Sequence, residues 1–216
     1  VIAAQVDDVL IDDDVWSSPS SFRLDRPDVD ALVSWQGMLH QQLSTPDLLL
    51  SLAFNGEGAG SDPLTRALVR ARDSFDWISH TFTHLDLDIN DDGTPVTYAQ
   101  VSAELVNNNK AASSVLKLGS RYDVENLVTP GISGLTNPEA MRAAYDDGVR
   151  YVVSDTSRIT DFATWPLNVG SANTQQPQIL EIPRRPTNLF YNVTDPDEWV
   201  GEYNQLYGAG GLIPPP

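Results

Sequence analysis

The sequence predicts an α/β fold built from parallel βα units. Short apolar runs alternate along the chain with segments whose apolar residues recur at helical spacing. Capping residues open several of the helical segments, and glycines close them. The length, 216 residues, suits one α/β domain with a sizeable core. Strands separated by helices pair in parallel, because each return crossing uses a helix. A closed barrel and an open doubly wound sheet satisfy this pattern equally. Both place function at the C-terminal ends of the strands.

The elements follow in order. Val1–Leu10 reads as a buried strand that runs into acids. Asp28–Leu43 has helical spacing, which puts Leu32, Trp35, Leu39 and Leu43 on one face. Asp47–Phe54 (DLLLSLAF) is a second strand, closed by the Gly-rich turn Asn55–Gly60. Asp62 caps and Pro63 starts a helix reaching about Ser74. Phe75–Ser79 is a third strand, and Thr97–Leu118 a long helix ended by Gly119. Asn126–Thr129 is a fourth strand. Asn137, Pro138 and Gly148 bracket a helix around Met141–Tyr145. Val149–Ser154 and Gln178–Ile182 are the fifth and sixth strands, and Trp199–Tyr207 a last helix. No repeat or internal boundary is evident. One domain over residues 1–207 is expected, with Gly208–Pro216 as a linker or fraying tail.

Composition narrows the function classes. The chain has no cysteine, which excludes a disulfide scaffold, a zinc ribbon and a Cys nucleophile. It carries 30 Asp and Glu against 13 Lys and Arg, a net charge of −17. That charge argues against nucleic-acid and anionic-membrane partners. No apolar stretch is long enough for a membrane span. The chain opens on an apolar run without an initiator Met, and reads as a mature protein or a domain of a longer multidomain chain.

Chemically useful residues gather at the strand ends. The first strand ends in Asp7-Asp8 and the third runs into His80-Thr81-Phe82-Thr83-His84. The fourth ends in Thr129-Pro130-Gly131 and the fifth in Ser154-Asp155. Two of the three histidines fall in one five-residue window. Histidines at i and i+4 on one turn can share a metal ion. The Glu of an HExxH zinc protease is absent, so that chemistry is excluded. A third ligand must come from elsewhere, and Asp8 is the best placed. Such a set leaves coordination positions open for water and substrate. Its neighbour Asp7 is placed to take a proton.

Asp7-Asp8 followed by His80-Thr81-Phe82-Thr83-His84 resembles the first two motifs of the NodB-homology polysaccharide deacetylases, carbohydrate esterase family 4. Those motifs are Thr-Phe-Asp-Asp-Gly and His-[Ser/Thr]-x-x-His. The resemblance implies an irregular (β/α) barrel. It implies Asp7 as general base, and Asp8, His80 and His84 as ligands of a divalent metal, zinc first. Thr81 would shape the histidine turn. Gln5-Val6 replace Thr-Phe, and Val9 replaces the Gly. The family's Arg-x-Pro-[Tyr/Phe] motif lacks its Arg here, where Val128-Thr129-Pro130-Gly131 stands. A late Leu-x-His, the family's general acid, is missing within the chain. The segments QVDDVLIDDD, SHTFTHLDLD, LVTPGISGL and EIPRRPTNLFYNV are similar to the galactosaminogalactan deacetylases, carbohydrate esterase family 18. That group implies a secreted or cell-surface enzyme removing acetyl groups from an N-acetylhexosamine-containing polysaccharide. Thr129, Pro130 and Asp155 are the candidate substrate contacts.

Other features carry less. Trp16, Tyr151 and Trp165 could stack on sugar rings, although packing or simple exposure is the commoner fate of such aromatics, and Arg184-Arg185 could bind substrate hydroxyls but reads first as neutralising local acids. Asp88-Ile89-Asn90-Asp91-Asp92-Gly93 matches half a calcium loop, but Ala99 stands where its Glu is needed, so it reads as a solvated turn. Asn192-Val193-Thr194 is a glycosylation sequon. A non-catalytic carbohydrate-binding domain is the competing function. A glycoside hydrolase with paired carboxylates ranks below it, since it leaves the histidine pair unused.

Overall fold

The computed structural model describes residues 3–44, 48–155, 169–185, 190–208 and 211. Nine strands and five helices follow one another: β1 (Gln5–Val6), β2 (Asp13–Asp14), β3 (Ser21–Phe22), α1 (Arg26–Leu43), β4 (Ser51–Phe54), α2 (Pro63–Ala71), β5 (Asp76–Ser79), α3 (Tyr98–Ser114), β6 (Tyr122–Leu127), α4 (Pro138–Asp146), β7 (Tyr151–Asp155), β8 (Ser171–Ala172), β9 (Leu180–Arg184) and α5 (Pro196–Tyr207), among the described residues. They group into two compact units, Val1–Leu10 with Asp25–Pro186, and Ile11–Leu24 with Thr187–Pro216.

The first unit is the α/β body. Its sheet has the order β1-β4-β5-β6-β7-β9-β8. All neighbours pair in parallel except β8, which runs antiparallel to β9. The sheet curls. Asp7 follows β1 at one edge, and Arg184 ends β9, five strand steps away in the order. Laid flat, those steps span about 24 Å. The two side chains nonetheless meet at 2.7 Å. Only a strongly curved sheet brings them together, as in an incompletely closed (β/α) barrel.

The convex face is packed by α3 and α4. Val101, Leu105, Leu127, Ala140, Met141, Ala144, Val149, Val152 and Ile179 form one buried cluster. The opposite face is narrower, with Ala53, Val128 and Val153 buried against Ile78 and Ile132. Alternation along each strand produces both layers: Phe54, Leu127 and Val152 are buried beside Ala53, Val128 and Val153 of the other face.

Local signals set the helix starts. Asp25 accepts the N–H of Asp28 while the Asp28 carboxylate accepts that of Asp25, so α1 begins two residues before the spacing predicts. Asp62, Thr97, Asn137 and Asp195 cap α2, α3, α4 and α5.

Several sequence expectations are corrected. Trp35 and Leu43 are exposed, and α1 buries Val29 and Gln36 instead. Gln36 bridges the Ser74 carbonyl and the Leu50 N–H, which fixes that face. The helix after Thr97 stops at Ser114, well before Gly119. The fourth strand starts earlier, at Tyr122, through Asp123–Glu125, which are exposed and form no apolar run. β1 is short, since Asp8 turns left-handed directly after it. The two-residue strands β2, β3 and β8 lie below what periodicity can detect.

In the second unit β2 and β3 pair antiparallel. Trp16 donates its N–H to the Asn192 carbonyl at 2.7 Å and its indole N–H to Gln205 at 3.1 Å. Its ring lies so close over Gly201 that an added Cβ there would approach it at 2.7 Å. Asn192 donates to Glu202, so the sequon's acceptor amide is already bonded. Residues 209–210 and 212–216 of the expected tail lie outside the described residues.

Candidate active site

Three strand ends build the site. Asp7 and Asp8 follow β1, the His80–His84 turn follows β5, and Arg184 closes β9. Adjacent strand residues normally point to opposite faces. Asp8 escapes that rule with φ at 61°, which lets both carboxylates serve one site.

Among the described residues, Asp8, His80 and His84 form a group able to hold a metal ion, with one ligand atom from each all within 4.8 Å of one another. Asp8 Oδ1 lies 3.2 Å from His80 Nε2 and 3.4 Å from His84 Nε2. Two ligands about 2.0–2.1 Å from a tetrahedral metal stand about 3.3 Å apart. Both separations from Asp8 suit ligands that share one ion. Tautomer chemistry points the same way. His80 Nδ1 donates to the Val128 carbonyl at 2.8 Å, since a carbonyl only accepts. In the neutral ring Nε2 then carries a lone pair, and it faces a carboxylate oxygen. Two facing lone pairs repel unless a cation sits between them. Asp8 Oδ1 is buried and has no aligned hydrogen bond.

The electrostatics agree. Burial pushes His80 down, but its pairing with Asp8 and the Asp7 and Asp8 charges outweigh that and raise it. Burial pushes Asp8 up, but His80, His84 and Arg184 together hold it below its ordinary value. His84, more exposed, is lowered by burial and by the neighbouring His80.

Asp7 stands beside this group and outside it. Its Oδ2 accepts from Arg184 Nη1 at 2.7 Å. Its Oδ1 is buried without a hydrogen-bond partner. One oxygen is thus held, and the other has no hydrogen bond among the described residues.

The remaining sequence candidates lie as follows. Thr129 and Pro130, the expected substrate contacts after the fourth strand, are both buried. The Asp155 backbone ends β7, and its side chain lies outside the described residues, as does Trp165. Tyr151 is exposed on β7. The Asp88–Gly93 segment is a turn closed on itself, with Asp92 accepting from Thr94 and Asn90 donating to Thr94 and Pro95. His40, the third histidine, bonds the Leu48 carbonyl.

Two residues escaped the sequence reading. Arg184, expected to neutralise local acids, ends β9 with its guanidinium on Asp7, at a strand end where site residues are expected. Glu104 accepts from the Phe82 and Thr83 N–H groups and the Thr83 hydroxyl. Its signal was a carboxylate on the apolar stripe Val101–Leu105–Ala112 of α3.

Comparison with known proteins places the chain. The family model of the Agd3 deacetylase domain matches residues 59–212. The chain belongs to the Agd3 deacetylase domain family. The matched segment contains His80, His84, Glu104 and Arg184, and Asp7 and Asp8 precede it. A crystal structure of Agd3, described as a novel carbohydrate deacetylase, is similar to this chain with a TM-score of 0.76 and 22% identity. The similarity covers 97% of this chain and 40% of that one, so the chain spans well under half of the Agd3 length. It shows a shared fold, the NodB-like (β/α) architecture. A second similarity is to the Xyl-CE4 domain of a multidomain xylanase from the hindgut metagenome of Trinervitermes trinervoides, at a TM-score of 0.45 and 16% identity, covering 74% of this chain and 61% of that one. No curated protein matches the chain. Among the described residues no helix is long and apolar enough to cross a membrane.

Proposed function

We propose that this Agd3-family chain is the catalytic domain of a zinc-dependent polysaccharide N-deacetylase. The observation that carries the reading is the separation of roles at one strand-end cluster. Asp8, His80 and His84 converge through three ligand atoms, while Asp7 stands aside with one oxygen free. Glycoside hydrolysis has no use for the converging histidines.

When bound, a divalent metal supplies a Lewis acid that polarises the acetamide carbonyl and acidifies water. Asp8, His80 and His84 would hold it. Asp7 Oδ1 accepts the proton released as water adds to the carbonyl carbon. Arg184 keeps Oδ2 occupied, which fixes the accepting oxygen in place. The C–N bond then breaks as the amide nitrogen takes up a proton, balancing the one left on Asp7, and acetate and the polymer's free amine are released. Each turnover exposes a positive charge on the polymer, which suits a chain of net charge −17. We take the substrate to be an N-acetylhexosamine polymer and the enzyme to act on it outside the cell or at its surface.

The test is acetate release from N-acetylated amino-sugar oligomers by the zinc-loaded chain. Asp7→Asn should bind zinc as the parent does and lose about 10²–10⁴-fold in rate. Full activity in Asp7→Asn would remove it as the base. Zinc binding without acetate release from any such oligomer would favour a carbohydrate-binding domain.

A further inference from the structure

The turn that carries both histidines is bent against its own preferences. Thr81 and His84 have φ of 64° and 66°. The left-handed region costs an L-residue about 1–2 kcal/mol and is least tolerated by β-branched side chains such as Thr. Such strain persists where the surroundings over-determine the backbone. Here they do so from three directions. The Asn55 amide donates to the carbonyls of His80 and Thr81. The Glu57 N–H donates to the Phe82 carbonyl at 3.1 Å. Glu104, buried on α3, takes the other side: Oε2 accepts the N–H groups of Phe82 at 2.8 Å and Thr83 at 2.7 Å, and Oε1 accepts the Thr83 hydroxyl at 2.8 Å.

One turn further along α3, Asn108 ties the helix to the strand ends beneath the turn. It donates to Ser79 Oγ at 2.8 Å and to the Phe54 carbonyl at 3.1 Å, and accepts the Gly56 N–H at 2.7 Å. Glu104 therefore grips from a helix that is itself registered on β4 and β5.

We propose that Glu104 is a positioning residue for the metal centre, presetting the His80–His84 spacing around Asp8 through its three bonds to Phe82 and Thr83. The inference rests on the metal reading of the site. Glu104 acts through the turn. Without it, ordering the turn falls to the metal, and that cost is subtracted from affinity. Losing such outer supports lowers metal affinity about 10–100-fold.

Zinc competition against a chromophoric chelator, run on the folded chain with circular dichroism as control, tests this. Glu104→Leu should bind zinc about 10–100-fold more weakly. Glu104→Gln keeps the shape of the grip: its amide oxygen can accept both N–H groups while its NH₂ meets the Thr83 hydroxyl as acceptor. It should stay within about tenfold of the parent. If Glu104→Leu does not fold, Thr83→Val, which removes one of the three bonds, decides with a several-fold loss that Thr83→Ser restores. A purely architectural role predicts lower melting temperatures and unchanged zinc affinity. Equal affinity in parent, folded Glu104→Leu and Thr83→Val overturns the proposal while leaving the metal site standing. Absence of zinc binding by the parent overturns both.

Discussion

Zinc added to the purified, chelator-treated chain should raise its unfolding temperature, and His80→Ala should remove that rise. The substitution is chosen from the geometry. His80 is 2% exposed, its Nδ1 is committed to Val128, and its Nε2 lies 3.2 Å from Asp8. Ligand binding to the native state alone stabilises it by about 2.7 kcal/mol when free zinc is 100 times its dissociation constant. A chain of this size gains roughly 2–4 °C per kcal/mol. The parent should therefore gain roughly 5–11 °C under those conditions. His80→Ala also leaves a cavity and lowers the zinc-free melting temperature, so the difference between zinc-loaded and zinc-free scans is the readout. Differential scanning fluorimetry in a non-chelating buffer suffices. An equal zinc-induced rise in parent and His80→Ala would mean that zinc binds elsewhere. No rise in the parent up to millimolar zinc would refute the converging ligand set.

Three further outcomes follow from the same structure. Arg184→Ala should leave the zinc-induced rise intact and slow acetate release by about 10²-fold, as expected for a misplaced base, with partial rescue by added guanidinium; an unchanged turnover number would show that Asp7 holds itself. In the metal-free chain His80 is raised above 6.5, so its contribution to stability is complete below that pH and is lost as pH climbs through the raised value. Urea unfolding between pH 6 and 9 should show this decline relative to His80→Gln, and zinc should reverse the trend because ligation needs the neutral ring. Gly58→Ala should cost about 1–3 kcal/mol in urea unfolding, because its Cβ would lie 2.3 Å from the Leu10 carbonyl, two residues past Asp8; a loss below about 0.5 kcal/mol would contradict that close approach.

Much of the body was legible in the chain. Asp62-Pro63, Thr97 with Gln100 and Asn137-Pro138 announce α2, α3 and α4 through bonds that span three or four residues. The strand cores were legible because burial on both faces writes continuous apolar runs such as Leu48–Phe54. What periodicity missed was short or exposed. β2, β3 and β8 are two residues each, and the start of β6 faces solvent. The buried face of α1 was misread because Gln36 is buried by hydrogen bonds, not by hydrophobicity.

For the site the division is sharper. Asp7-Asp8 and His80-Thr81-Phe82-Thr83-His84 are local patterns, and the rule that chemistry sits at strand ends located them without coordinates. The curl of the sheet, however, is a cumulative property of twist and packing across seven strands. It brings Arg184 to Asp7 over a separation of 177 residues. The left-handed backbone at Asp8, Thr81 and His84 is likewise imposed by surroundings and contradicts local preference. Glu104 earns its position from α3 packing on β4 and β5. The sequence by itself determined which residues are the candidates for metal-binding and proton-accepting chemistry. The tertiary structure decided how they are held, because the restraints on them come from elements distant in the chain.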